Sequence, residues 1–222
     1  MMFSPTTQGD YRGNVTFQNS TADWYKKVIP VHACAIPEPI PWEEYVDLGL
    51  PSGTLWATRD IGANSPEENG ANFAWGETEP KEHYDWSNYK WCNGSAESLT
   101  KYCTDSRYGT VDNKTELERE DDAATINWGP SWRMPSMNQL RELMTSCTVT
   151  RVEKNGVILR LVTGPNGNTM YLSAEGWYWS RTAYGSPELA YGMHLQSGDW
   201  TWNSFWGPRC SGHRVRAVRV RN

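Results

Sequence analysis

The sequence predicts an α+β fold with two short helices, antiparallel sheets and much irregular loop. Helix signals are few and come early, and a run of strand–turn–strand patterns follows them instead of alternating with them. The third observation is the punctuation: 19 Gly and 13 Pro in 222 residues mark many turns.

In chain order, residues 1–35 are polar, with residues 15–17 and 28–31 as short strands. Residues 36–41, IPEPIP, read as a linker, because closely spaced prolines remove amide donors and favour extended backbone. Residues 1–40 are thus an N-terminal extension with a Pro-rich linker. Residues 41–222 are one domain, long enough to bury a real core. Residues 45–50 and 55–58 flank the turn Pro51-Ser52-Gly53 and read as a hairpin. Ser65, Pro66, Glu67 and Glu68 supply the cap, the first-turn proline and the acids of a helix start, which Asn69-Gly70 ends early. Residues 73–77 read as a strand or a buried turn. Residues 78–125 hold no period, and Tyr84, Trp86, Tyr89 and Trp91 are expected to anchor this long loop to the core. The best helix begins at Ser136. Ser136 and Gln139 fit a capping box, and Leu140, Leu143 and Met144 share one face. Residues 148–152, 157–162 and 169–172 then form a meander, turned at Asn155-Gly156 and at residues 164–168.

The chain is organised around residues 176–220, which crowd Trp177, Trp179, Trp200, Trp202, Phe205 and Trp206 among Gly, Ser, Asn, Arg and His. Met193 and Leu195 alternate with Gly192, His194 and Gln196, which predicts a strand with one buried face. Ser197-Gly198 reads as a turn. Trp200 and Trp202 share a parity on the next strand and read as core. Residues 203–213 read as an aromatic loop that exposes Phe205 and Trp206. Val215, Val218 and Val220 close the domain, with Arg214, Arg216 and Arg219 on the solvated side. The 13 Trp and 11 Tyr against 4 Phe suit half-wet positions, since both types join an apolar body to a polar tip.

Several function classes are disfavoured. A formal charge of −5 argues against a nucleic-acid face. No apolar run reaches membrane-spanning length. The start, MMFSPTTQGDYRG, lacks the apolar core of a signal peptide, so the chain is either not secreted by that route or is a piece of a longer protein. The five cysteines form no CxxC pair, and Cys92 and Cys103 are either free or bridged across a polar loop. Residues 116–122, ELEREDD, are either a calcium-binding cluster or a solvated turn with an Asp capping a helix. No phosphate-cradling loop, dinucleotide fingerprint or nucleophile elbow appears, so neither an enzyme nor a cofactor is expected. His194 and His213 read as surface hydrogen-bonding residues, not as metal ligands.

Several segments taken together permit a family. LPSGTLWAT, SPEE-NG-A-FAWGE, YGTVDNKTELEREDDAA, NWGPSWRMPS, TGPNGNTMYL and WYWSRT resemble the "major paralogous domain" of bacterial surface proteins. That domain is similar to the C-type lectin fold of the formylglycine-generating-enzyme type. The likeness covers about residues 45–220. It implies a core helix after W-R-M-P-S and a closing R-V-R-A-V-R strand. Enzymes of that fold hold copper on two nearby C-terminal cysteines, or iron on a histidine-rich helix. Here Cys210 has no near cysteine in sequence and the four histidines are scattered. A subset of such domains are variable proteins of diversity-generating retroelements, in which a C-terminal segment is hypermutated on the ligand-binding face.

The resemblance therefore implies a ligand- or receptor-binding domain of a bacterial cell surface or phage particle, with a cell-surface protein or glycan as partner and an oligomer possible. The implied binding residues are Tyr184, Gly192, His194, Gln196, Asp199, Thr201, Asn203, Ser204, Phe205, Trp206, Arg209, Ser211 and His213. Phe205 and Trp206 would be apolar anchors, ringed by Arg209, Asp199, His194 and His213. Drift in a solvated loop leaves the same kind of pattern as diversified binding. The alternative function is a structural or adhesin domain of a surface or pilus-like assembly whose aromatic face meets another subunit, and an uncharacterised enzyme ranks third. Calcium-dependent sugar binding of the lectin type is not implied, because Trp202-Asn203-Ser204 has Ser where that motif needs Asp.

Overall fold

A computed structural model of the protein describes residues 10–16, 28–34, 45–196 and 202–220. The chain divides into two compact units, Met1–Ile40 and Pro41–Asn222. In the first, β1 (Asp10–Thr16) and β2 (Val28–Cys34) pair antiparallel, with Val15 opposite Ile29. Phe17, expected in the first strand, lies outside the described residues.

The second unit is α+β, with two α-helices and three antiparallel three-stranded sheets among the described residues. β3 (Tyr45–Asp47) and β4 (Thr54–Ala57) form the expected hairpin. α1 (Ala123–Trp128) follows Asp122, whose carboxylate accepts the Thr125 amide at 2.9 Å. α2 (Met137–Ser146) carries the full capping box. Ser136 Oγ accepts from the Gln139 amide at 3.2 Å, and Gln139 Oε1 accepts from the Ser136 amide at 2.9 Å. β5 (Thr148–Lys154), β6 (Val157–Thr163) and β7 (Thr169–Ser173) make the meander. Asn155 and Gly156 take positive φ, 54° and 78°, which a two-residue turn between twisted strands requires. β8 (Gly176–Ala183), β9 (Leu189–Leu195) and β10 (Trp202–Pro208) form the next sheet, with β9 in the middle. β11 (Val218–Val220) returns to β4, Val218 opposite Trp56.

One buried cluster ties these sheets to α2. It contains Trp56, Leu140, Leu143, Val162, Leu172, Tyr178, Met193, Leu195 and Val218, with Trp202 packed against it. Each such large apolar side chain contributes about 2 kcal/mol by leaving water. A second cluster, built on Tyr89, Leu99, Cys103 and Cys210, lies under the long loop, and Tyr84, Trp86 and Trp91 pack onto it as expected. No helix among the described residues is long and apolar enough to cross a membrane.

Three expectations need correction. Ser65–Glu68 makes a single turn, not a helix: the Glu68 amide reaches Ser65 O at 3.3 Å, and the Glu68 carboxylate turns back onto the Asn64 amide. Residues 203–208 are not loop but continue the strand of Trp202, because β9 offers a free edge that pairs them residue for residue. Arg216 is not solvated. It is buried with Asp60, Nε to Oδ1 at 2.7 Å, and donates to the carbonyls of Ala57 and Tyr171. Of the two alternatives at Cys92 and Cys103, the structure has the free thiols.

Candidate functional site

The pleat of β8–β9–β10 separates two faces. Tyr178, Met193 and Leu195 point into the main core. The opposite face carries two cross-strand rows: Trp177, His194 and Asn203, then Trp179, Gly192 and Phe205. His213 enters this face from the segment after β10. Reciprocal hydrogen bonds with Phe73, 2.8 and 3.0 Å, hold its backbone.

The rings form one continuous stack. Trp177 lies over His194 at 4.7 Å with planes 7° apart, and 5.9 Å from His213. His213 sits 4.3 Å from Trp179 and edge-on to Phe205 at 5.3 Å. Phe205 stacks over Trp179 at 5.7 Å. Phe205 fits only because residue 192 is glycine. A Cβ there would meet the Phe205 ring at 2.3 Å and the Tyr178 carbonyl at 2.4 Å.

Burial grades along this stack. Trp179 is fully buried and its indole N–H donates to Phe73 O at 2.9 Å, whereas Trp177 is 47% exposed. An open groove of about 630 Å³ lies against the exposed end, lined by Trp177, His194 and His213, with Asn72, Gln196 and Arg214 on its rim. Desolvation, and then the charge of nearby His194, pushes the His213 pKa down to about 4, so its imidazole is neutral near pH 7. The groove therefore offers flat aromatic faces beside neutral and cationic donors. Such a surface stacks on a ring or apolar plane and orients it with hydrogen bonds.

The outward residues do not all share this face. Trp206 pairs with Tyr191 in register, so it points to the opposite side from Phe205. There it is 55% exposed and stacks on Tyr184 at 5.0 Å, and Tyr184 meets Tyr191 edge-on at 4.9 Å. Phe205 and Trp206 are thus not one pair of anchors but members of two aromatic groups. Phe205 is half-buried rather than exposed.

Of the residues expected to bind, Gln196, Asn203, Ser204 and Trp206 are exposed, and Tyr184, His194, Phe205, Ser211 and His213 are half-buried. Asp199 and Thr201, with Trp200 and the turn Ser197-Gly198, lie outside the described residues. Two expectations fail on burial. Gly192 is buried under Phe205. Arg209 is 1% exposed, donates to Leu189 O at 3.2 Å and Tyr102 O at 2.8 Å, and lies 4.5 Å over the Trp75 ring. It ties β9 to the long loop and presents no charge to a ligand.

Sequence reasoning passed over Trp177, Asn72 and Arg214 as site residues. Trp177 had a usable signal, a parity opposite to that of Tyr178 on a strand. Asn72 had none, since only the Phe73–His213 bridge brings it here. In the acidic stretch, the carboxylates of Glu118, Glu120 and Asp121 lie near one another. The Lys101 ammonium already sits among them, 2.6 Å from Glu118 and from Asp121. Lys101 and then Lys114 hold the Glu118 carboxyl down at about 2.

No family model, no curated protein and no solved structure matches this chain.

Proposed function

We propose that the chain is a ligand- or receptor-binding domain of a bacterial surface or phage protein. On this reading its fold is the C-type lectin fold of the formylglycine-generating-enzyme type, and a retroelement diversifies its C-terminal face. The observation that carries the reading is the groove beside Trp177, His194 and His213. It is wide, aromatic on one wall and polar on its rim, and most of its lining comes from the C-terminal stretch. Support for the fold comes from the capped helix after W-R-M-P-S and from the R-V-R-A-V-R-V segment closing onto β4. The partner is a cell-surface protein or a glycan presenting a flat apolar surface to Trp177.

Burial narrows the set that can vary without loss of stability. Positions 194, 196, 203, 204, 206, 211 and 213 keep exposed side-chain surface, whereas 192 and 209 are committed to packing. Sequencing many copies of the locus from one population tests this. Replacements concentrated at 194–213, sparing Gly192, Met193, Leu195 and Arg209, are the expected result. Replacements spread evenly along the gene overturn it.

The second reading, a subunit contact, rests on Trp206 stacked on Tyr184 and exposed on the other face. Size-exclusion chromatography tests it: an oligomer that dissociates on Trp206→Ala favours a structural assembly, and a monomer removes it.

A further inference from the structure

A second groove, of about 450 Å³, is lined by four arginines, Arg119, Arg133, Arg181 and Arg219, together with Ser131 and Gln139. Two of these guanidiniums are neutralised. Arg133 Nε lies 3.0 Å from the buried Asp122 carboxylate and its Nη2 donates to Leu117 O at 2.8 Å. Arg181 Nε lies 3.0 Å from Glu116, and its Nη1 donates to Met134 O at 3.2 Å. The other two form no ion pair among the described residues. Arg119 gives one N–H to Pro130 O at 2.8 Å and is otherwise exposed. Arg219 lies over the rings of Tyr45 and Trp132, at 5.1 and 5.8 Å, which fix its position without cancelling its charge.

Four guanidiniums against two carboxylates leave an excess of two positive charges in one groove. The chain as a whole carries −5. Gathering like charges costs free energy unless an anion offsets it. Guanidinium also selects its anion by shape, because its N–H edges match the paired oxygens of a carboxylate, sulfate or phosphate. The Ser131 hydroxyl adds a neutral donor at the mouth. The groove draws on the turn before α1, the segment leading into α2, β8 and β11, so paired backbone sets its shape instead of one flexible loop.

We propose that this groove is an anion-binding site that takes one oxyanion group carried by a ligand. Arg119 and Arg219 are its direct ligands, and Arg133 and Arg181 are its walls. The inference does not rest on the aromatic groove and stands or falls without it.

The test is isothermal titration of the full chain with three probes in separate arms: inorganic phosphate, inorganic sulfate and sodium glucuronate. The expected result is saturable binding of at least one probe at about one per chain, weakening as sodium chloride is raised, since screening acts over about 8 Å at physiological salt. Binding confined to phosphate and sulfate identifies a tetrahedral group as the natural one, and binding of glucuronate identifies an acidic sugar or other carboxylate. Arg119→Gln, at an exposed position, is expected to weaken binding about tenfold with an unchanged melting temperature. Arg219→Lys keeps a cation over the two rings but removes the fork, and is expected to weaken binding as well. Arg107→Gln, at an exposed ion pair with Asp105 that does not line the groove, is expected to leave binding unchanged. Failure of all three probes to saturate overturns the proposal. So does binding that is equal in wild type and Arg119→Gln.

Discussion

The long loop of residues 78–122 and the C-terminal stretch of residues 177–213 are alike in composition and opposite in use. Both are rich in Trp and Tyr among polar residues. In the loop, three aromatics spend their polar tips on backbone carbonyls, Tyr84 Oη on Asn72 O, Tyr89 Oη on Trp75 O at 2.7 Å, and Trp91 Nε1 on Gly76 O at 2.7 Å, and Tyr102 Oη donates to the Asp121 carboxylate at 2.6 Å. In the C-terminal stretch, Trp179 does the same, but Trp177 and Trp206 make no hydrogen bond to the described residues and stand 47% and 55% exposed. A satisfied tip marks an aromatic that holds the fold together. An open ring beside an unused tip marks one left available for a partner.

The sharpest way to break this comparison is to remove the residue that joins the two regions. Arg209→Ala takes away hydrogen bonds to Leu189 and Tyr102 and the cation over Trp75. A loss on the order of 3 kcal/mol is expected, read by chemical denaturation. A loss below about 0.5 kcal/mol would mean that Arg209 is as dispensable as a surface charge.

Next in size is Tyr89→Phe. The ring stays but the buried Trp75 carbonyl loses its donor, so about 1–2 kcal/mol is expected. Trp177→Ala provides the contrast. Its stability cost should stay within about 1 kcal/mol, from lost stacking on His194, while binding of the natural ligand disappears. Equal costs for the two substitutions would erase the distinction drawn here.

The pH dependence is a subtler test. The His213 pKa is pushed down to about 4 in the folded protein, against about 6.5 in an unfolded chain. Between those values the unfolded chain binds the proton more readily. The stability that His213 contributes is therefore fully present above about pH 6.5 and is lost as pH falls toward 4. Carboxylates titrate near the bottom of that window too, so the informative quantity is the difference between wild type and His213→Gln. The variant is expected to show a flatter melting-temperature profile from pH 6.5 to 4.5.

What was legible in the sequence is what local rules govern. The capping box at Ser136 and Gln139, the Asn155-Gly156 turn and the alternation through Met193 and Leu195 each sit within a few residues, and each was found as expected. What escaped depends on partners far away in the chain. Arg216 reads as a solvated strand residue, but its Asp60 partner lies 156 positions earlier. Arg209 reads as loop, but Tyr102 and Trp75 claim it. Past Trp202, β10 escaped because it is an edge strand. Asn203 and Ser204 meet water there, so the hydropathy of Trp202–Pro208 does not alternate even though its pairing does. In the site, the side of the sheet on which His194 falls followed from parity. The separation of Phe205 from Trp206 did not, because a loop carries no parity.

The interlock of Gly192 and Phe205 limits how this surface can evolve. The Phe205 ring and the Tyr178 backbone carbonyl together fill the space that any other side chain at 192 would need. Shrinking residue 205 would clear the ring but not the carbonyl, so residue 205 can change while position 192 is held to glycine. Mutation that strikes both sites at random will lose the variants changed at 192, and the surviving repertoire will vary at 205 over an unchanged glycine.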